Sequence, residues 1–396
     1  MRKFELNEKP VVLFFVPLWK NFGHFSYPLA VPLVADYDVV FLNSTWTVYR
    51  ETNFPDLTKK GIRSIGLCTL RTHSLVKALE KIRPDCVVVH DKGWPQERAL
   101  LEAARYLGIP SLHIQHGIVA DLGRQKTGGF VRRARSEFMK TIRTLRVYNT
   151  TLLDIGCMAW FQTLPFQIRL FLNPMDYCFN WRKQTVADKA CIIGDRDRKY
   201  FIEKEGYNEN QLVPFGAPQF ERAYTMDVRP AESEMLLLLS QPLFEDHLLK
   251  GGMEAKRQHI REIVDASPVK VAVKPHPRES EQWYRDNFSS SELHVFPSKK
   301  DINEAIQECS HVIGYFSTAL INALILRRPV GIIRWVDDKS YVLELDADGV
   351  ASRLECPDAL GAFRVCQAAA CDTEFYGFDC RVIAVLRDTL RQLLEC

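Results

Sequence analysis

Short apolar runs alternate with helical spacing along most of this chain. Pro10–Pro17 (PVVLFFVP), Tyr37–Asn43 (YDVVFLN), Cys86–His90 (CVVVH) and Pro110–Gln115 (PSLHIQ) are continuous hydrophobic stretches bounded by turn residues. That is the pattern of strands buried on both faces of a parallel sheet. Gly61–Cys68 reads as a further strand, and helical periodicity fills Ser74–Ile82 and Pro95–Leu107, the latter ended by Gly108. Strand character returns over Val186–Gly194, followed by a helix over Arg196–Gly206 that closes on glycine. Thr225–Glu234 is polar, contains Pro230, and is the most linker-like stretch. Beyond it the alternation resumes, with strands at Met235–Leu239 (MLLLL), around Val269–Lys274, at His294–Phe296, from His311 and at Pro329–Ile333. Helices are predicted over about Leu248–Ala266, Glu279–Phe288 and Asp301–Cys309, and at both ends of Asp358–Cys396. Strand–helix alternation of this kind predicts an α/β chain of doubly wound parallel sheets, with one domain over 1–226 and a second over 227–396.

Composition adds bounds. The 396 residues suffice for two cores, and 46% hydrophobic with 26% charged residues is ordinary for a globular protein. A formal charge of +3 is too small to argue for nucleic acid as a partner. Eleven cysteines without a CxxC pair read as core residues and free thiols of a reducing cytoplasm. No signal-like apolar segment precedes Val11, and Val11–Val16 is too short to span a bilayer. The expected state is a soluble or peripherally bound cytoplasmic protein.

One segment departs from this background. Arg124, Lys126, Arg132, Arg133, Arg135, Lys140, Arg143 and Arg146 face a single acid, Glu137, and lead into the apolar, aromatic Leu152–Pro174. Asp154, Arg169 and Pro165 interrupt that stretch, which argues against a membrane span. A basic helix followed by an aromatic amphipathic one suits an anionic membrane surface, here the inner face of the cytoplasmic membrane. The competing reading is a solvated face plus an apolar hairpin packed within the protein.

Candidate chemistry gathers at strand ends. Val269–Ser280 (VKVAVKPHPRES) offers Lys274, His276 and Arg278, and His311–Val330 offers Ser317 and Thr318 at the start of an apolar helix. Cations and hydroxyls at strand ends before a helix N-terminus suit a phosphate. Gln115-His116-Gly117 would display His116 at the C-terminal edge of the sheet, where an imidazole can take a proton from a hydroxyl. The loop after the first strand, with Lys20, Gly23 and His24, is a candidate acceptor-binding element; the alternative is an ordinary connection. No ligand-like Cys/His spacing suggests a metal.

KPHPRE, the FSTALINAL helix, QHG and GAPQFERA occur in an order that resembles the GT-B enzymes of bacterial surface-polysaccharide synthesis, covering roughly Leu112–Val330. That group includes sialyltransferases and capsule polymerases with an HP and a Ser/Ser-Thr motif, and teichoic-acid polyol-phosphate transferases. The resemblance implies two Rossmann-like domains facing across a cleft, acceptor-binding first and donor-binding second. It implies that Lys274 and His276, with Arg278, contact the donor phosphate and that Ser317 and Thr318 bind it through hydroxyls and amides. Ser240, Gln241 and Pro242 with Phe296, Pro297 and Ser298 would hold base and ribose. The partners implied are a nucleotide-activated sugar and a glycan or glycolipid acceptor, with no metal or other cofactor; a homodimer is compatible. Two departures stand out. The sialyltransferases carry an acidic pair before glycine as general base, where this chain has QHG, with Asp121 just downstream. Many relatives place a ribose-gripping glutamate where this chain has Asn322. A CMP-sugar donor fits the HP and Ser/Thr motifs best. The alternatives are a CDP-polyol donor, a UDP-N-acetylglucosamine 2-epimerase-like reaction, and a non-catalytic nucleotide- or glycan-binding module.

Overall fold

Two parallel sheets organise the chain, each built from the apolar runs just described. The computed structural model describes residues 9–19, 23–50, 54–90, 94–116, 130–156, 186–245, 249–315, 317–336, 345, 349–363 and 381–395, with backbone alone for 24, 130–138 and 219. The first sheet holds β1 (Val11–Phe15), β2 (Asp38–Asn43), β3 (Ile62–Gly66), β4 (Cys86–Val89), β5 (Ser111–Ile114), β6 (Lys189–Ile192) and β7 (Leu212–Pro214). Its order is β3-β2-β1-β4-β5-β6-β7, all parallel. The chain steps outward from β1 to β3, then returns to lay β4 on the other side of β1. The second sheet holds β8 (Ser233–Leu239), β9 (Lys270–Lys274), β10 (Leu293–Val295), β11 (Cys309–Gly314), β12 (Val330–Ile333) and β13 (Ser352–Leu354), in the order β10-β9-β8-β11-β12-β13. Its reversal falls between β8 and β11.

The apolar runs form strands for the expected reason. Val12–Phe15, Cys86–Val89 and Leu236–Leu239 are buried throughout, so helices cover both sheet faces and no alternation is visible. Helix ends follow local chemistry. Gly108 closes Pro95–Leu107 at φ 67, and Asp301 accepts from the amides of Asn303 and Glu304 to start Ile302–Glu308. The expected helix over Arg196–Gly206 is a chain of short turns, Asp195–Asp197, Arg198–Tyr200 and Phe201–Glu205, closed by Gly206 at φ 82. Cys86, Cys191 and Cys309 are buried free thiols, as core residues should be.

Two compact units result. One comprises residues up to His116, Gly129–Pro218 and Arg381–Cys396; the other contains Gln219–Cys380. A linear reading assigned everything after 226 to the second domain, whereas the helix Val382–Glu395 lies in the first unit. Its stripe of Val382, Leu386, Leu390 and Leu393 joins Val12, Phe14, Val88 and Cys191 in one core. Helical spacing supplies the face, and the first sheet supplies the apolar surface it must cover. Among the described residues no helix is long and apolar enough to cross a membrane.

Candidate active site

In open parallel sheets ligands bind beyond the C-terminal strand ends, where strand order reverses. Each unit therefore nominates its own edge. In the second unit the edge is formed by the ends of β8 and β11 with the neighbouring ends of β9 and β10. Every donor residue expected from the sequence lies on these four connections.

The loop after β9 is shaped by a side chain that the sequence reading did not single out. Glu279 is fully buried, and its Oε1 accepts from Ser240 Oγ (2.9 Å), Tyr284 Oη (2.9 Å) and Lys256 Nζ (2.6 Å). Its Oε2 accepts the His276 amide (2.7 Å), and its own amide donates to the His276 carbonyl (2.8 Å). Lys256 is equally buried, bridges on to Glu245 at 2.5 Å, and lies over the rings of Trp283 and Tyr284. A charged pair so far from water persists only when its remaining bonds are satisfied, as they are here. The network ties the end of β8 to the turn after β9 and fixes the path of Pro275–Arg278.

Within that turn the Arg278 amide donates to His276 Nδ1 at 3.2 Å. Nδ1 accepts there, which leaves Nε2 as the ring's donor in this geometry. Lys274 Nζ donates to the Ser298 carbonyl at 2.8 Å, joining the ends of β9 and β10. Burial lowers the Lys274 pKa, opposed by Glu281 and Asp301. Arg278 is exposed. The Ser240 hydroxyl is committed to Glu279 and Tyr284, so what it could offer a ligand is backbone. Phe296 is buried in the unit's core, and Ser298 is held by the Glu281 carboxylate on its amide (2.7 Å). Ser317 and Thr318 are half-buried, and Ser317 Oγ accepts the Ala319 amide at 3.2 Å. The helix they precede, Ala319–Ile325, has only seven residues, so its axial dipole is a minor contributor beside the side chains. Asn322 points away from this edge, donating to Asn303 Oδ1 at 2.7 Å in the interior.

The first unit's edge lies at the ends of β1, β4 and β5. Gln115 is buried and clamped, accepting the Ile193 amide at 2.7 Å and donating to Asp197. His116 follows, solvent-exposed, with its ring edge-on to Phe25 at 4.9 Å. Surrounding protein lowers its pKa, so the neutral, proton-accepting form prevails at neutral pH. Phe25 also meets the His90 ring edge-on at 5.2 Å. His90, at the end of β4, is buried, bonds Ser26 Oγ through Nε2 (2.7 Å), and has its amide accepted by Glu97 (2.6 Å). Burial foremost, then charge from His116 and His113, drives the His90 pKa well down. His113 bonds Tyr207 Oη (3.0 Å) and the His90 carbonyl (3.2 Å). His90 and Ser26 were missed because a histidine closing an apolar run looks like any core residue. Gly23 is buried under Trp19: a Cβ would lie 2.3 Å from that ring, so only glycine fits. Lys20, the His24 side chain, Gly117, Asp121 and 157–174 lie outside the described residues.

With both edges described, the comparisons can be set beside them. Residues 222–334, which contain the Lys274–Glu279 turn and Ser317–Thr318, match the model of glycosyltransferase family 52. The fold is GT-B, and the part of the chain that matches a glycosyltransferase family lies in the second unit. Among curated proteins none matches the sequence. Solved structures match its fold over nearly the whole length. The calicheamicin glycosyltransferase has a TM-score of 0.56 and 11% identity, covering 98% of this chain and 99% of its own. The kitacinnamycin glycotransferase has a TM-score of 0.50 and 16% identity over 98% and 95%. The UDP-GlcNAc 2-epimerase of Methanocaldococcus jannaschii, solved with UDP-GlcNAc and UDP, has a TM-score of 0.53 and 13% identity over 96% and 99%.

Proposed function

We propose that the protein is a metal-independent, inverting glycosyltransferase that uses a CMP-activated sugar, such as CMP-sialic acid. Its product would be a bacterial surface glycan of the capsule or lipopolysaccharide kind. The observation that carries this reading is the turn after β9, where a buried carboxylate presents Lys274, His276 and Arg278 beside the reversal of the second sheet. As the bond from the anomeric carbon to the donor phosphate breaks, negative charge grows on that phosphate. The Lys274 and Arg278 charges and His276 Nε2–H, with the Ser317 and Thr318 hydroxyls, stabilise it in place of a metal ion. Backbone at Ser240–Pro242 and Phe296–Ser298 holds base and ribose.

His116 takes the proton of an acceptor hydroxyl as its oxygen attacks the anomeric carbon, with Asp121 the alternative base. The lowered pKa suits that role. Lys20, Gly23 and His24 belong to the acceptor side of this reading. The basic segment from Arg124, with the apolar residues to Pro174, docks the enzyme on the inner face of the membrane. Neutralising Arg132–Arg146 should then reduce sedimentation with anionic vesicles, and unchanged sedimentation removes the membrane from the proposal.

One observation favours a second reading. A histidine, not a carboxylate, ends β5, which suits a CDP-polyol phosphotransferase whose acceptor attacks phosphorus. Incubation with CMP-, CDP- and UDP-linked donors, scored by released nucleotide, separates the two. Release of nucleotide from none of them with any acceptor sinks both, and epimerised UDP-sugar without acceptor would indicate epimerase chemistry. His276→Ala should cost about 10- to 100-fold in donor kcat/KM, the worth of one charge-assisted hydrogen bond.

A further inference from the structure

Three connections leave the C-terminal edge of the second sheet side by side. The loop after β8 carries Leu243, Phe244 and Glu245, Tyr315 follows β11 directly, and Trp335 follows β12. These strands are neighbours, and their order reverses between β8 and β11, where such sheets receive ligands. The helix Gly252–Ala266 braces all three connections. Its Lys256 Nζ pairs with Glu245 Oε1 at 2.5 Å. His259, three residues on and therefore a neighbour on the helix surface, bonds Tyr315 Oη through Nε2 at 2.6 Å. The His259 ring also lies 5.8 Å from that of Trp335 and 6.3 Å from that of Phe244. Leu243, Phe244 and Leu249, with Tyr315 and Val336 against them, form a small apolar cluster beside these groups.

Among the described residues, Glu245 Oε2 and Trp335 Nε1 are shielded from water and make no hydrogen bond. A polar atom left in that state costs free energy, so each one calls for an explanation. One of the two is an acceptor and the other can only donate, yet they do not satisfy each other. Neither side chain is loose. The Lys256 ammonium divides itself between Glu245 and Glu279, which fixes the Glu245 carboxylate through Oε1 and leaves Oε2 over. Trp335 is held by the His259 ring, which Tyr315 holds in turn. A flat group that donates at one end, accepts at the other and has apolar faces would satisfy both atoms against this aromatic wall.

We propose that Glu245 and Trp335 read the base of the donor nucleotide and select cytosine. The Glu245 carboxylate accepts from the exocyclic amino group, and the Trp335 N–H donates to the ring carbonyl. A carboxylate taking the amino group of cytosine is a pairing that this base edge favours. Uracil keeps the ring carbonyl but turns a second carbonyl toward the carboxylate, so two acceptors meet and the base is rejected. Both side chains lie on loops, so a ligand edge reaches them by local adjustment. The inference rests on the nucleotide-donor reading above and narrows its base site to the loop after β8.

Binding of CMP, UMP and AMP to the full chain is measured by titration calorimetry at constant ionic strength. The parent protein should bind CMP about 10- to 100-fold more tightly than UMP, the worth of one hydrogen bond to a charged group, and more tightly than AMP. Glu245→Gln keeps an oxygen for Lys256 and replaces the second acceptor by an amide N–H. CMP should then weaken and UMP tighten until the preference disappears or inverts, a gain that a fold defect cannot produce. Trp335→Phe keeps a ring against His259 and removes the donor, so CMP and UMP should weaken alike, about 3- to 10-fold. A CMP-to-UMP ratio that Glu245→Gln leaves unchanged overturns the proposal, as does tighter binding of UMP or AMP by the parent. His276→Ala acts on the phosphate whichever base is bound, which keeps the two readings apart. If it weakens CMP while both base variants leave CMP binding unchanged, the donor site stands and this assignment falls. If the parent binds none of the three nucleotides, both fall.

Discussion

At the end of β9 a buried carboxylate collects hydrogen bonds from a lysine, a serine, a tyrosine and a backbone amide. At the ends of β4 and β5 the polar groups include three histidines, two of them packed on Phe25, with His90 bonded to Ser26 and His113 to Tyr207. The first edge spends a fully buried ion pair to hold a short turn rigid. The second keeps His90 neutral by burial, and its carboxylates Glu97 and Asp197 are held by the His90 amide and by Gln115 and Arg196. The difference matches two tasks. A leaving phosphate needs donors whose positions do not relax as its charge grows. A general base needs only a low pKa and an open face, and His116 has both.

This contrast can be broken from either side. His116→Gln should cost the most in turnover, on the order of 10²- to 10⁴-fold in kcat with donor KM little changed, the usual worth of a general base. Loss of both parameters together would place His116 in folding instead. Lys256→Met should destabilise the second unit by about 3–5 kcal/mol, because it strands the Glu279 charge in the interior. Adding Glu279→Gln should recover much of that loss in denaturant unfolding without restoring donor affinity. If donor affinity returns with stability, the pair is scaffolding and does not position the turn.

A smaller effect concerns pH. Burial lowers the His259 pKa to about 4, with its Nε2 bonded to Tyr315 Oη at 2.6 Å. The native state therefore holds His259 neutral while the unfolded chain protonates it near 6.5. Its stabilising contribution is complete above about pH 6.5 and is lost as pH falls toward 4, roughly 3 kcal/mol in all. His259→Gln should flatten that part of the stability profile, and an unchanged slope would show that other histidines carry it.

Much of the architecture was legible because strands buried on both faces are continuous apolar runs, and β1, β4, β8 and β9 are of that kind. Two edge strands were not. Leu212–Pro214 and Ser352–Leu354 have three residues each, and each includes a proline or polar residues that break any apolar run. The donor turn was legible as a cluster of polar residues between prolines. Its support was not, since nothing in the spacing of Lys256 and Glu279 says they meet across 23 residues. The same holds for Asn322, whose partner Asn303 lies on a different helix. Which nitrogen of His276 accepts depends on one backbone amide and could not be read from composition.

The helix Val382–Glu395 also bears on how the molecule is made. Its apolar stripe fills the core formed by β1, β4 and β6, strands that emerge from the ribosome far earlier. Until those last residues arrive, the first sheet presents an uncovered hydrophobic face while the whole second unit is being synthesised. That interval is long compared with collapse times, so the nascent first unit is a natural client for chaperones that shield apolar surface. Completion of the first unit then waits on a contact between segments far apart in the chain, a slow kind of closure.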